Sequence, residues 1–164
     1  MMETDVVAGT NVKVSCSRDE LVAALGVVGR AVSTRGSVQV LGGIHIEAAD
    51  GGIRLSAPDM ELSLRTTLPA PVEGEGALVV PGKLLTDLAR LLPASEVTLA
   101  YRPEDGAAEI TSGSHSSRVH VFAAEDFPRL PTLDVPLFEV DAPALLETID
   151  RVSRMPSVPP RTWM

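Results

Sequence analysis

The chain has 164 residues, 45% of them apolar and 3% aromatic, which suits one packed domain with a remnant of a second, its core built from Leu, Val, Ile and Ala. No stretch reaches the roughly 18 uninterrupted apolar residues of a membrane span, and a single cysteine, Cys16, excludes an intrachain disulfide and fits a cytoplasmic protein. The net charge of −8 argues against a protein that holds nucleic acid by Lys and Arg releasing counterions.

Residues 1–11 contain Glu3 and Asp5 and no basic residue, so they lack the positive start of a secretory signal. They are expected to form a disordered extension. A first strand then leads to Cys16, read as a small core residue. From Arg18 to Arg30, Leu21, Val22, Leu25 and Val28 share a helical face. Ser17 stands at the N-cap, with Glu20 three residues on in a capping-box pattern. Alternation with period two follows. Ile44, Ile46 and Ala48 form one run, Ile53, Leu55 and Ala57 a second after the turn Asp50-Gly51-Gly52, and Leu62, Leu64, Thr66 and Leu68 a third. A second helix is predicted from Pro81 to Leu92, with Leu84, Leu85, Leu88 and Leu92 on its apolar face and Pro93 ending it. Val97, Leu99 and Tyr101 resume the alternation. Glu104-Asp105-Gly106 turns the chain into Ala108 and Ile110, and Val119 and Val121 close the series. Tight polar turns between such runs imply antiparallel neighbours.

The order is strand, helix, three strands, written twice. The fold class is therefore α+β, a duplicated β-α-β-β-β unit with two helices packed on antiparallel sheets. The helix start Leu21-Val22-x-x-Leu25 recurs as Leu84-Leu85-x-x-Leu88. A third copy begins at Asp141: Leu145, Leu146, Ile149, Val152 and Arg154 repeat Leu21, Val22, Leu25, Val28 and Arg30 at a constant offset of 124 residues, that from Ser17 to Asp141. Residues 12–131 are thus expected to form one domain, 132–136 a linker, and 137–164 the truncated start of a second domain. Pro156, Pro159 and Pro160 bar regular structure in the tail.

Several segments, taken in order, resemble one family. Lys13-Val14-Ser15-Cys16-Ser17-Arg18-Asp19-Glu20-Leu21 is similar to the opening strand and helix of the bacterial sliding clamp, the beta subunit of DNA polymerase III. Arg35-Gly36-Ser37-Val38-Gln39-Val40-Leu41-Gly42-Gly43-Ile44 resembles its first loop and strand. Ala57-Pro58-Asp59-Met60-Glu61-Leu62, Val80-Pro81-Gly82-Lys83-Leu84-Leu85 and Ala124-Glu125-Asp126-Phe127-Pro128-Arg129-Leu130 resemble later pieces. The resemblance spans about Val12 to Arg154 and implies the DNA-clamp fold. It also implies a non-catalytic processivity factor that encircles double-stranded DNA as a homodimer ring and serves the replicative DNA polymerase and the clamp loader. No cofactor, metal or membrane is expected. A ring holds by topology, so the acidic balance is compatible with it. Two departures stand out. Gly36, Val38, Gln39 and Val40 replace a proline-rich loop, and Val12 occupies the place of the initiator, which points to a start codon there. The family's pocket for partner peptides lies between later domains and is not expected here. The alternative is a stand-alone clamp-like module that forms no ring.

By resemblance, Arg35 lies on a loop that reaches toward the duplex, and Lys83 and Arg90 lie on the second helix, two turns apart on one side. Arg30 joins them from the end of the first helix. Such cations hold phosphate without reading bases, although Arg30 and Arg90 also suit helix C-termini as ordinary surface charge. Ser117 and Val119 fall by resemblance on the strand that meets the other protomer. His45, His115 and His120 have no metal-ligand spacing and read as packing or surface residues. Asp59 and Glu61, placed on one strand face, lack a third acidic partner. Ser112 through Ser117 reads as a polar hairpin and not as a nucleophile with its base.

Overall fold

The computed structural model describes residues 11–33, 39–49, 51–59, 61–130 and 139–154. Strand β1 (Val12–Ser17) leads into helix α1 (Arg18–Val28). Strands β2 (Gly43–Ala49), β3 (Gly52–Pro58) and β4 (Ser63–Pro69) follow, then the short β5 (Val72–Glu73). Strand β6 (Ala77–Pro81) leads into helix α2 (Gly82–Leu91), and β7 (Glu96–Arg102), β8 (Ala107–Ser112) and β9 (His115–His120) complete the first unit. The doubled strand-helix-three-strand order expected from the alternation is therefore present, with β5 added. By its contacts the chain divides into Met1–Leu130 and Pro131–Met164.

Every strand pairing is antiparallel. One sheet has the order β5-β1-β7-β8-β9 and the other β4-β3-β2-β6. Each half thus lends its first strand to the sheet of the other half. β1 runs beside β7 from Val12 opposite Tyr101 to Ser17 opposite Glu96, and β6 runs beside β2 from Gly43 opposite Pro81 to Glu47 opposite Ala77. This exchange ties the two repeats into one core, which contains Leu21, Leu25 and Val28 of α1, Leu85 and Ala89 of α2, and Ile44, Ile46, Ile53, Leu55, Leu99 and Ile110 from the sheets.

The structure corrects several local expectations. Ser17 is the N-cap of α1, but its side chain makes no capping hydrogen bond. The Arg18 N–H instead donates to the Ser95 carbonyl at 2.7 Å, so a connection from the other half satisfies one of the amides that a helix start leaves open. Arg18 Nη1 also donates to the Leu92 carbonyl at 3.2 Å, joining the start of α1 to the end of α2. On α2, Leu84 is 51% exposed while Leu85 is 1% exposed. The buried row is Gly82, Leu85 and Ala89, continued by Leu92, a three-four-three spacing in which two members are too small to read as apolar anchors.

Asp59 and Glu61 do not share a strand face. Asp59 lies beyond the end of β3, and its Oδ1 accepts the N–H groups of Glu61 at 3.0 Å and Leu62 at 2.7 Å. These bonds make Asp59 a turn former and hold its carboxyl below the ordinary 3.8.

In the second unit, helix α3 (Ala142–Ser153) begins at Asp141, whose side chain accepts the Ala144 N–H at 2.9 Å. That is the N-cap expected of the third repeat copy. Leu145, Leu146, Ile149 and Val152 on α3 are exposed.

Candidate nucleic-acid interface

Helices α1 and α2 border a groove of about 300 Å³. Leu25, Gly26, Gly29 and Arg30 line it from the first helix and the 3-10 turn that follows, Gly29–Ala31. Gly82, Lys83, Thr86, Asp87 and Arg90 line it from the second. Glycines keep the groove floor low: Gly82 packs under Val32 and Ile44, and Gly29, in the turn after α1, meets Thr86 of α2. A methyl group built on Gly82 would come within 2.8 Å of Val32 Cγ2 and 3.1 Å of Ile44 Cγ1, and one on Gly29 would meet Thr86 Oγ1 at 3.9 Å.

Three of the four cations singled out in the sequence, Arg30, Lys83 and Arg90, therefore come together along one groove, and all three are exposed. The fourth, Arg35, lies outside the described residues. Among the described residues Arg30 and Arg90 make no ion pair. Lys83 Nζ donates to Asp87 Oδ2 at 3.0 Å, one turn away on α2. Thr86 Oγ1 donates to the Gly82 carbonyl at 2.8 Å, so this hydroxyl hydrogen stays inside the helix. Chemically the groove offers guanidinium and ammonium donors over a glycine-rich floor, a surface suited to oxyanions approached from outside.

Strand β9 forms the outer edge of the five-stranded sheet. The Val121 N–H donates to the Gly106 carbonyl, which fixes the phase of the ladder continued by the register of β8 with β9. In an antiparallel pair, bonded and non-bonded positions alternate. Ser117 and Val119 therefore bond inward to Ile110 and Ala108, while the backbone groups of Ser116, Arg118 and His120 point away from the sheet. Val119 is 4% exposed and belongs to the core. The backbone groups free along this edge are thus those of Ser116, Arg118 and His120, which ladder phase decides and side-chain type does not.

The remaining polar groups are structural. Ser112 is buried, and its Oγ accepts the Ala94 N–H at 3.1 Å and lies 3.3 Å from the Ala94 carbonyl, to which it donates. His115 Nε2 pairs with Ser117 Oγ at 2.9 Å instead. These two residues form no nucleophile-base pair. Burial, with Glu20 nearby, pushes the Cys16 thiol up to about 11, far from a reactive thiolate. Among the described residues, no group of three or more His, Cys, Asp or Glu could hold a metal ion. No described helix is long and apolar enough to cross a membrane.

Comparison with known proteins gives a consistent result. Residues 12–131 match the family model of the DNA polymerase III beta subunit, N-terminal domain. A beta sliding clamp of Synechocystis is 37% identical over 129 residues, covering 74% of this chain and 33% of that protein. A crystal structure of the DNA polymerase III beta subunit of Thermotoga maritima superposes with a TM-score of 0.74 at 28% identity, covering 85% of this chain and 38% of that one. A Caulobacter crescentus beta sliding clamp gives a TM-score of 0.80 at 26% identity, covering 85% and 38%. The chain spans about a third of the length of the curated relatives it matches. With its two exchanged sheets and paired helices, the chain belongs to the DNA polymerase III beta subunit family, the sliding clamps, and matches that family's N-terminal domain.

Proposed function

We propose that this chain supplies the N-terminal part of a processivity factor, and that the α1–α2 groove is the surface it turns toward duplex DNA. The observation that carries the reading is the convergence of Arg30, Lys83 and Arg90 on one groove of an otherwise acidic protein. Cations in this setting grip phosphates and leave the bases unread, which suits a protein that slides. Arg35 is read as a further phosphate contact by its resemblance. The whole protein is read as non-catalytic, closing as a homodimer ring around the duplex and tethering the replicative polymerase after a clamp loader has opened it. Residues 12–131 serve as its first domain, 132–136 as a linker and 137–164 as the start of its second. Edge strand β9, with Ser117 and Val119 holding it to the sheet, is read as the side that meets the other protomer.

The test is binding of the chain to a short duplex, followed by fluorescence anisotropy over a range of salt. Each phosphate contact contributes a slope of about −0.9 in log affinity against log salt. Replacing Arg30, Lys83 and Arg90 together by Ala is expected to flatten that slope by between one and three such contacts. It should do so equally for duplexes of unrelated sequence. An unchanged slope, or a loss confined to one sequence, contradicts the assignment. The ring reading has its own test. A protein carrying all its domains should stay on circular DNA and run off linear DNA, whereas this chain alone should be retained on neither.

A further inference from the structure

Asp87 is the one carboxylate among the described residues lining the groove, and it pairs with Lys83, one of its three cations. Lys83 and Asp87 are separated by one helical turn, and their side chains are 77% and 51% exposed. A pair this exposed is weak and screened by salt, so an incoming anion can displace it. Displacement leaves the freed carboxylate in the groove beside that anion. Arg30 and Arg90 carry no such partner among the described residues. A phosphate that enters the groove therefore meets two open guanidinium groups and one ammonium already engaged. Thr86, between the two members of the pair, donates to Gly82 and does not relieve the competition.

We propose that Asp87 is an intramolecular competitor of the DNA phosphate for Lys83, holding the grip of this groove below what its three cations would otherwise give. The inference rests on the reading of the groove as a duplex surface and adds a residue that weakens contact. A protein that moves along DNA gains from such a residue, because each fixed phosphate contact must be broken at every step.

The experiment compares Asp87→Asn with the unchanged chain on a short duplex at several salt concentrations, with Asp87→Ala as a second variant and thermal melting as the check on folding. Asp87→Asn is expected to tighten binding about threefold to tenfold at low salt and to steepen the salt slope by about 0.9, one added phosphate contact. In a Lys83→Ala background the same change is expected to tighten binding by less than half as much. Asp19→Asn removes one charge outside the groove, where Asp19 pairs with Arg18 at 2.9 Å, and is expected to have a smaller effect than Asp87→Asn. Equal gains with and without Lys83, or equal gains from Asp19→Asn and Asp87→Asn, would mean that only net charge matters and would overturn the proposal. If the triple Ala variant flattens the slope while Asp87→Asn changes nothing, the competitor role alone fails. If neither variant alters binding, the duplex reading fails with it.

Discussion

The ring of Phe127 stacks on that of His45, with centroids 4.9 Å apart and planes 23° from parallel. His45 lies on β2, and Phe127 lies in the segment by which the chain leaves its first unit. The Phe122 N–H donates to the Val79 carbonyl on β6 at 2.8 Å, so the exit segment is held at two points on one sheet. Burial lowers the His45 pKa from its ordinary 6.5. Arg54 and Arg65 push in the same direction, while the neighbouring Glu47 opposes them. The folded state thus favours neutral imidazole. Below pH 6.5 the unfolded chain binds more protons than the folded one, so stability should fall as the pH drops through the window between 6.5 and the lowered folded value. It should level off below that value. His45→Phe keeps the stack and cannot titrate. Melting temperatures measured between pH 7.5 and 5 should show a smaller decline for this variant than for the unchanged chain. Asp59, held below 3.8, acts only at lower pH and does not confuse the comparison.

Two glycines on the groove should respond in opposite ways. Gly82 faces Val32 and Ile44 with no room for a methyl group, whereas a methyl group on Gly26 would meet nothing within 4 Å. Gly82→Ala should destabilise the chain by about 1–3 kcal/mol through overpacking. Gly26→Ala, in the interior of α1, should stabilise it by roughly 0.5–1 kcal/mol by restricting the unfolded chain and favouring the helix. Urea denaturation of both variants measures the difference, and changes of the same sign would contradict this packing.

The ladder phase of β9 predicts a proline pattern. Proline at Arg118 removes an N–H that points outward, while proline at Ser117 removes one that bonds to β8. Edge strands accept proline only where its missing N–H faces away from the sheet. Arg118→Pro should therefore melt closer to the unchanged chain than Ser117→Pro. A larger loss from Arg118→Pro than from Ser117→Pro would mean that the ladder has the other phase.

Much of this fold was legible in the alternation. Runs such as Ile53-Leu55-Ala57 and Val97-Leu99-Tyr101 announce strands because one face is buried, and Asp50-Gly51-Gly52 and Glu104-Asp105-Gly106 mark the reversals. The exchange of β1 and β6 between halves was not legible. Period two says which face of a strand is wet and nothing about which sheet it joins. Leu84 reads as part of the apolar face of α2 although it is exposed, because Gly82 and Ala89, which complete the buried row, carry too little side chain to register. The Arg18 hydrogen bond to the Leu92 carbonyl joins residues 74 apart, beyond any local pattern. Of the site, the cations were found through their resemblance and helical spacing. Asp87 does not stand out in the sequence, because an acidic residue at i+4 from a lysine reads as routine helix pairing.

The most direct test of the account is a titration of the isotope-labelled chain with a short duplex, followed by amide chemical shifts at low salt. The largest changes should cluster at Gly29, Arg30, Lys83, Thr86 and Arg90 and fade together as salt rises, while β9 stays unmoved. Changes centred on β9, or no changes at any salt concentration, would contradict the claim that the α1–α2 groove is the face this clamp domain turns to DNA.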